Sequence, residues 1–178
     1  MKFSTEAPLI YTIGHSNRAL GEFLDILKNF NIKLIIDVRR WPSSRKFPYF
    51  SKEVLRKELS KHDIFYVWLG YGLGGKRGYV EGAERIKCFK AEGYRNYAAY
   101  MKTEEWIQAF ELLVMVAKRY ISALLCAEKL PWRCHRKLIS DALLVKGFNV
   151  IHILNKNRVI KHKFTKCARV IGGSLIYV

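Results

Sequence analysis

The chain has 178 residues, of which 50% are hydrophobic, enough to build the core of one globular domain over residues 1–178. It carries 32 Lys and Arg against 15 Asp and Glu, a net charge of +17. We therefore expect an anionic small molecule or a nucleic acid as partner, although a lysine-rich surface alone would give the same composition. No segment has the character of a secretory signal or a membrane span, which predicts a cytoplasmic protein with no membrane partner.

Apolar runs separated by amphipathic segments predict the fold. The runs expected to be buried strands are residues 9–13, 33–38, 64–69, 121–126 and 148–154. The segments between them place apolar side chains three and four residues apart, as helices do, and one such helix is expected over residues 131–146. Buried strands that alternate with helices predict a three-layer α/β/α domain with a mostly parallel, roughly five-stranded sheet.

Two segments do not follow this alternation. Residues 70–96 are rich in glycine, tyrosine and basic side chains. They predict a long loop that either stacks bases and follows phosphates or packs on its own aromatic rings as a lid. Beyond the core of residues 9–154, residues 155–178 are a basic tail that ends in a β-hairpin around Gly172 and Gly173. We expect the tail to be an appendage of the same domain.

Reactive side chains follow three of the predicted strands at their carboxyl ends. They are His15, Asn17 and Arg18 after the first strand, Asp37, Arg39, Arg40 and Arg45 after the second, and Cys126, Glu128, Arg133, Cys134, His135 and Arg136 after the fourth. Ligands of open parallel sheets bind outside the carboxyl ends of the strands. The sequence therefore predicts that these residues share one rim of the sheet and form a site there.

The segment of residues 126–136 holds the predicted nucleophile. A thiol beside arginines and near a helix N-terminus has a lowered pKa, so Cys134 or Cys126 is expected to be reactive. For Cys126 the alternative is a small core side chain. Glu128, His15 and His135 are the predicted acids and bases, and the arginines are the predicted anion ligands.

Several of these side chains also have a structural interpretation. His15 is either an acid or base or a hydrogen-bonding partner of its own loop. Asp37 either accepts a hydrogen bond from a ribose or pairs with Arg39. Arg40 and Arg45 either bind phosphate through their forked donors or form a solvated rim.

The cysteines are expected to be free, metal-bound or catalytic, because disulfides are rare in the cytoplasm. They are Cys88, Cys126, Cys134 and Cys167. A bridge between Cys126 and Cys134 is the alternative. No cofactor is predicted, and zinc is a secondary interpretation: the cysteine spacing does not match paired zinc ligands, and Cys134 and His135 would point roughly 100° apart on a helix.

Three motifs of known chemistry are absent. One residue too many separates Cys126 from Arg133 for a phosphatase loop, and no glycine lies between them. The first strand is not followed by a dinucleotide-binding glycine pattern. The paired motifs of zinc-dependent deaminases do not occur. Anion binding at the start of the helix predicted over residues 131–146 stays open.

Four separated motifs nevertheless form a set. They are T-I-G-H-S-N-R at residues 12–18, I-D-V-R-R-W-P-S-S-R at 36–45, C-A-E-K-L-P-W-R-C-H-R at 126–136 and V-I-H-I-L at 150–154. With these motifs in this order, the chain resembles the domain of unknown function 488 family over residues 11–154. The resemblance implies a compact α/β domain without an established reaction, and hallmark residues His15, Arg39, Cys126, Glu128, Cys134, His135 and Arg136.

The leading hypothesis is an enzyme-like site at the rim of the sheet. It would bind a phosphate- or nucleotide-containing ligand through arginines and present a reactive thiol to it. One alternative is a non-catalytic nucleic-acid-binding module, in which the basic tail is decisive and the cysteines are structural. The other is a thiol redox or metal-binding protein.

Overall fold

The computed structural model describes residues 7–178. The strands are β1 (Leu9–Gly14), β2 (Leu34–Asp37), β3 (Phe65–Trp68), β4 (Ser122–Cys126), β5 (Asn149–Asn155), β6 (Arg158–Lys161), β7 (Ala168–Ile171) and β8 (Ser174–Tyr177). The helices are α1 (Leu20–Asn29), α2 (Lys52–Ser60), α3 (Gly70–Leu73), α4 (Glu92–Tyr100), α5 (Glu104–Ala117) and α6 (Arg136–Val145). None of these helices combines the length and the apolar character that crossing a membrane requires.

The main sheet has six strands in the order β3-β2-β4-β1-β5-β6. The first five strands along the chain pair in parallel, and β6 adds to β5 as an antiparallel edge. The predicted α/β class with a mostly parallel sheet is confirmed, with one strand more than the five that the apolar runs indicated. The extra strand comes from the basic tail, whose polar, exposed sequence gives no apolar run. The C-terminal hairpin is confirmed as a separate pair of β7 and β8.

Helices cover both faces of the sheet because strand residues alternate between two cores. Ile36 and Leu124 face a core that includes side chains of α5 and α6. Ile35 and Leu125 face the opposite core, with side chains of α1 and α2. Consecutive strand residues point to opposite faces, so strands that are apolar at every position can fill both cores.

The structure corrects two local predictions. The helix expected from residue 131 begins only at Arg136, because Pro131–Arg133 form a 3-10 turn and Cys134 has an extended backbone. The loop expected over residues 70–96 contains α3 and the start of α4. Glycine and tyrosine gave these residues the composition of a loop, but Tyr97 and Tyr100 are buried and pack against the core, which stabilises α4.

Two of the cysteines form a disulfide, so the prediction that the cysteines are unpaired was wrong for them. Cys88 forms a disulfide with Cys167 and joins the segment before α4 to the basic tail. Their separation of 79 residues leaves no pattern in the sequence that would predict the contact. Cys126 and Cys134 are free thiols in the structure.

Candidate functional site

The site begins where β1 and β4 end side by side. Gly14 of β1 is paired with Cys126 of β4, and the amide of His15 donates to the carbonyl of Cys126 over 2.9 Å. A Cβ atom at Gly14 would lie 1.9 Å from the carbonyl oxygen of Glu128, so only glycine lets the two loops approach this closely.

The connections after these two strands diverge to opposite faces of the sheet. The helix after β1 is α1, which packs into one core, and the helix after β4 is α6, which packs into the other. Neighbouring parallel strands with this arrangement leave a crevice between their carboxyl ends, where ligands of α/β proteins bind. His15 from the first loop and Cys134 from the second lie at this crevice.

A pocket of about 500 Å³ opens at the crevice, and we call it the rim pocket. The predicted site residues that line it are His15, Arg39, Arg40, Cys126, Glu128, Arg133, Cys134 and His135. Residues from loops after β1, β2 and β4 thus meet in one cavity. The pocket has the size of a small-molecule binding site.

Both free thiols lie at the rim pocket beside an imidazole. The Sγ atoms of Cys126 and Cys134 and a ring nitrogen of His135 all lie within 4.8 Å of one another. The Nδ1 atom of His135 is 3.5 Å from Sγ of Cys134. Both cysteines are buried, so their thiols are largely shielded from bulk water while they line the cavity.

A buried guanidinium supports the second of these thiols. Arg136 is only 1% exposed, and its Nε lies 3.4 Å from Sγ of Cys134, with its backbone amide 3.5 Å from the same sulfur. Its other contacts are neutral: Thr12 Oγ1 at 3.5 Å and the carbonyl oxygen of Glu128. Within residues 7–178, no carboxylate forms an ion pair with Arg136. A buried cation needs a nearby counter-charge, and a thiolate on Cys134 provides it.

The pKa values of the two thiols move in opposite directions. Burial alone would raise the pKa of Cys134, but hydrogen bonding with Cys126 and the charges of His135 and Arg136 hold it well below its ordinary value. Hydrogen bonding to Cys134, together with burial and the negative charge of Cys134, raises the pKa of Cys126 well above its ordinary value. Of the two thiols, Cys134 is therefore the one that ionises more readily, and Cys126 is the one that keeps its proton.

The ring of His135 is oriented by a backbone carbonyl. Its Nε2 lies 3.1 Å from the carbonyl oxygen of Val38, which can only accept, so Nε2 carries a hydrogen. The other ring nitrogen, Nδ1, is thereby directed at Cys134. Gly75 packs against this side of the ring, and a Cβ atom there would lie 2.8 Å from Nδ1. The imidazole is fixed between the Val38 carbonyl and the Gly75 backbone.

A buried ion pair lies beneath the rim. Asp37 is fully buried and accepts hydrogen bonds from Nε of Arg39 at 2.9 Å and from the hydroxyl of Tyr66 at 2.6 Å. Burial raises the pKa of Tyr66, and the adjacent Asp37 carboxylate raises it further, so Tyr66 stays a donor. Of the two interpretations given to Asp37, the geometry is that of pairing with Arg39, because Asp37 does not line the rim pocket.

His15 is held against the same arginine. Its Nδ1 lies 3.0 Å from the carbonyl oxygen of Ser16 and its Nε2 lies 3.3 Å from Nη1 of Arg39. The carbonyl can only accept and the guanidinium can only donate, so the neutral ring with its hydrogen on Nδ1 satisfies both contacts. Burial and the charge of Arg39 lower the pKa of His15 to about 4. His15 is therefore uncharged at neutral pH.

The remaining predicted ligand residues are divided between the pocket and other surroundings. Arg40 and Arg133 line the rim pocket, and Arg133 is exposed. Arg18 is buried instead, where it donates to carbonyl oxygens of Gly14 and Leu154. Two of the predicted ligand residues are exposed and do not line the rim pocket, namely Asn17 and Arg45.

The structure adds residues that the sequence did not single out as site residues. They are Trp41, Ser43, Ser44, Gly75, Lys76, Ala91, Gly93, Tyr94, Tyr97 and Ala127. Most of them come from the loop after β2 and from residues 70–96. The basic, glycine- and tyrosine-rich composition of the latter was the available signal, because an aromatic segment of that kind is typical of a binding surface.

The two thiols and His135 also form a possible metal centre. Zinc is bound tetrahedrally by thiolates and imidazoles, and three protein ligands with a fourth position open to substrate are typical of catalytic zinc. The Val38 carbonyl supplies the outer hydrogen bond that a metal-binding histidine usually makes. Cys134 and His135 precede α6, so the expectation that they would diverge on a helix was wrong.

The fold and the rim pocket define an α/β protein with a two-cysteine site at the switch point of its sheet. The chain belongs to the family described as "Domain of unknown function DUF488", whose match covers residues 19–143. The matched range includes Arg39, Cys126 and Cys134, whereas His15 precedes it. No curated protein and no solved structure matches the chain.

Proposed function

We propose that the rim pocket is an enzyme-like site that binds an anionic, phosphate- or nucleotide-containing ligand and presents the Cys134 thiolate to it as a nucleophile. The observation that carries this proposal is the Arg136 guanidinium, which is buried beside Sγ of Cys134 and has no carboxylate partner among residues 7–178. A cation in that position stabilises the thiolate, which is the nucleophilic form of cysteine.

The arginines of the pocket supply the affinity for an anion. Arg40 and Arg133 line the cavity, and Lys76 adds a third basic side chain. Arg39 contributes less, because most of its N–H groups are used by Asp37, His15 and the carbonyl of Phe50. The guanidinium groups of Arg40 and Arg133 match the geometry of phosphate oxygens.

Glu128 is the best-placed acid or base of the site. Its carboxylate belongs to an exposed residue at the rim pocket and accepts a hydrogen bond from the amide of Leu130 at 3.2 Å. His15 is less suited to donate a proton, because it is neutral above pH 4 and its Nε2 faces Arg39. In this scheme Cys134 forms a covalent bond to the electrophilic atom, and the leaving group departs with the bonding electrons and a proton from Glu128 or Cys126.

Site-resolved alkylation across pH tests the proposal. The native protein is treated with iodoacetamide, and modification of Cys134 and Cys126 is followed separately by mass spectrometry. We expect Cys134 to react below neutral pH and Cys126 to react slowly, with phosphate or nucleotides slowing the reaction at Cys134. Equal and ordinary reactivity of both thiols would refute the thiolate. If Cys134→Ser keeps every measured effect of phosphate or nucleotides, the Cys134 thiol has no part in the site.

A metal centre is the second candidate function, favoured by the three ligand atoms within 4.8 Å. Zinc held by Cys126, Cys134 and His135 would act as a Lewis acid or activate water. The same alkylation experiment separates the two candidates. Protection of both thiols that only a chelator relieves supports the metal, whereas reactivity that ignores the chelator supports the free nucleophile.

A further inference from the structure

A second cavity, of about 680 Å³, is lined by the segment that leads to Cys134 and by the basic tail. Its wall includes Pro131 and Trp132, residues 160–167 and the disulfide partner Cys88, and we call it the tail cavity. It shares none of its lining residues with the rim pocket. The two cavities are nevertheless adjacent along the chain, because Trp132 lines one and Arg133 lines the other.

The tail cavity is strongly basic. Lys137, Lys161, Lys163 and Lys166 line it, and no Asp or Glu does. Within the part of the chain that the structure describes, none of these four ammonium groups forms an ion pair with a carboxylate. Four uncompensated cations around one cavity favour a ligand with several negative charges.

Aromatic surface lies next to these cations. Trp132 is 48% exposed and Phe164 is 44% exposed, although both are large apolar side chains. The ammonium of Lys137 lies 5.4 Å from the ring centroid of Phe89. The hydroxyl oxygen of Thr165 is buried at the cavity, and it has no hydrogen-bond partner in the structure between residues 7 and 178.

We propose that the tail cavity binds single-stranded nucleic acid, with phosphates on the lysines and a base stacked on Trp132. Alternating cations and exposed aromatic faces are what a flexible strand with free bases requires. A duplex keeps its bases stacked internally, and an acidic peptide makes no use of an exposed indole. The proposal does not depend on Cys134, so it goes beyond the function proposed for the rim pocket.

Fluorescence anisotropy with a labelled oligothymidylate of about a dozen nucleotides tests this, since single-strand sites span on the order of ten nucleotides. Binding to the full chain is measured over a series of salt concentrations. Each phosphate contact on a single strand contributes about −0.7 to the slope of log K against log salt, so four lysines predict a slope near −3.

Matched variants separate the cavity from the overall charge. The double variant Lys163→Ala with Lys166→Ala should reduce the magnitude of the slope by roughly 1.4. The control, Lys102→Ala with Lys118→Ala, removes the same charge from exposed positions outside both cavities and should keep the slope. Trp132→Ala should weaken binding by roughly ten-fold or more, while Cys134→Ser leaves it unchanged.

Four results would overturn the proposal. Equal effects of the two lysine pairs would mean binding by net charge alone. Equal competition by a duplex or by polyglutamate would exclude base stacking, and no binding at low salt would contradict the proposal directly. Loss of binding in Cys134→Ser would instead place the strand in the rim pocket and also overturn it. Thiol reactivity at Cys134 is measured separately, so failure here leaves the function of the rim pocket to its own test.

Discussion

Replacing Arg136 by glutamine removes the charge beside Cys134 and keeps a side chain that can donate hydrogen bonds. Nε of Arg136 lies 3.4 Å from Sγ of Cys134, which puts the centre of the delocalised charge roughly 4 Å from the sulfur. Two opposite unit charges at that distance attract by about 4 kcal/mol at the effective dielectric constant typical of proteins.

The expected effect on reactivity is smaller than this attraction. Cys126 and His135 continue to stabilise the thiolate in the variant. We therefore expect the alkylation rate of Cys134 near pH 6 to fall at least ten-fold, which corresponds to about 1.4 kcal/mol. The direction follows from the loss of a cation that favours the charged form, since this raises the pKa of the Cys134 thiol.

The assay is iodoacetamide modification of chelator-treated protein, with Cys134 quantified by mass spectrometry and folding checked by near-UV circular dichroism. Arg133→Gln is the matched control, because it removes the same charge three residues earlier from an exposed side chain. It should change the rate several-fold less. A folded Arg136→Gln protein that reacts at the wild-type rate would refute the assignment of Arg136 as the counter-charge.

Three further changes test the surroundings of the site. Asp37→Asn leaves the guanidinium of Arg39 buried without its anion and should lower the free energy of unfolding, measured in urea, by about 3–5 kcal/mol. His15 has a pKa of about 4 in the folded protein, so the unfolded state binds more protons between about pH 6.5 and 4. The free energy of unfolding therefore falls as the pH is lowered through that range. His15→Asn should abolish roughly 3 kcal/mol of this loss, measured by urea unfolding at several pH values. Reduction, or Cys88→Ser with Cys167→Ser, opens a loop of 79 residues and should cost up to about 4.5 kcal/mol in urea unfolding, and reductant should have no effect on the double variant.

The strands could be predicted from the sequence because each is a short apolar run in a chain of otherwise amphipathic segments. Parallel pairing then follows from the helices between them, and with it the meeting of His15, Arg39 and Cys126 at one rim. The order of the strands does not follow from the sequence, and the crevice between β1 and β4 depends on that order. The fold class could therefore be predicted from the apolar runs alone, whereas the position of the site also depends on a strand order that the sequence does not provide.

The details of the thiol site could not be predicted. Helical periodicity continues back to residue 131, and only the extended backbone of Cys134 brings its sulfur together with the ring of His135. Arg136 looked like an anion ligand because it was predicted near the start of a helix at the rim of the sheet, where anions bind. It is buried because α6 is enclosed on nearly all sides, so that even Ser140 and Asp141 have no exposure, which an amphipathic interpretation of the helix does not anticipate.

The protonation states of the two thiols also distinguish the nucleophile from the metal centre by a proton count. Zinc requires both thiols as thiolates, and binding releases whatever protons they carry. If Cys134 is already ionised by Arg136 and Cys126 is protonated, the two thiols together should release about one proton when zinc binds at neutral pH, and this proton comes from Cys126. A hydrogen on Nδ1 of His135 adds to the total, so the contribution of each thiol is read from variants.

Calorimetric titration with zinc in buffers of different ionisation enthalpy measures this number. Cys126→Ser should release about one proton fewer than the wild type, whereas Cys134→Ser should release about the same number as the wild type. A release that also falls by one proton in Cys134→Ser would mean that Cys134 is a thiol in the free protein, which contradicts the role given to Arg136. Absence of zinc binding would exclude the metal centre and leave the thiolate as the reactive group that Cys126, His135 and Arg136 jointly stabilise.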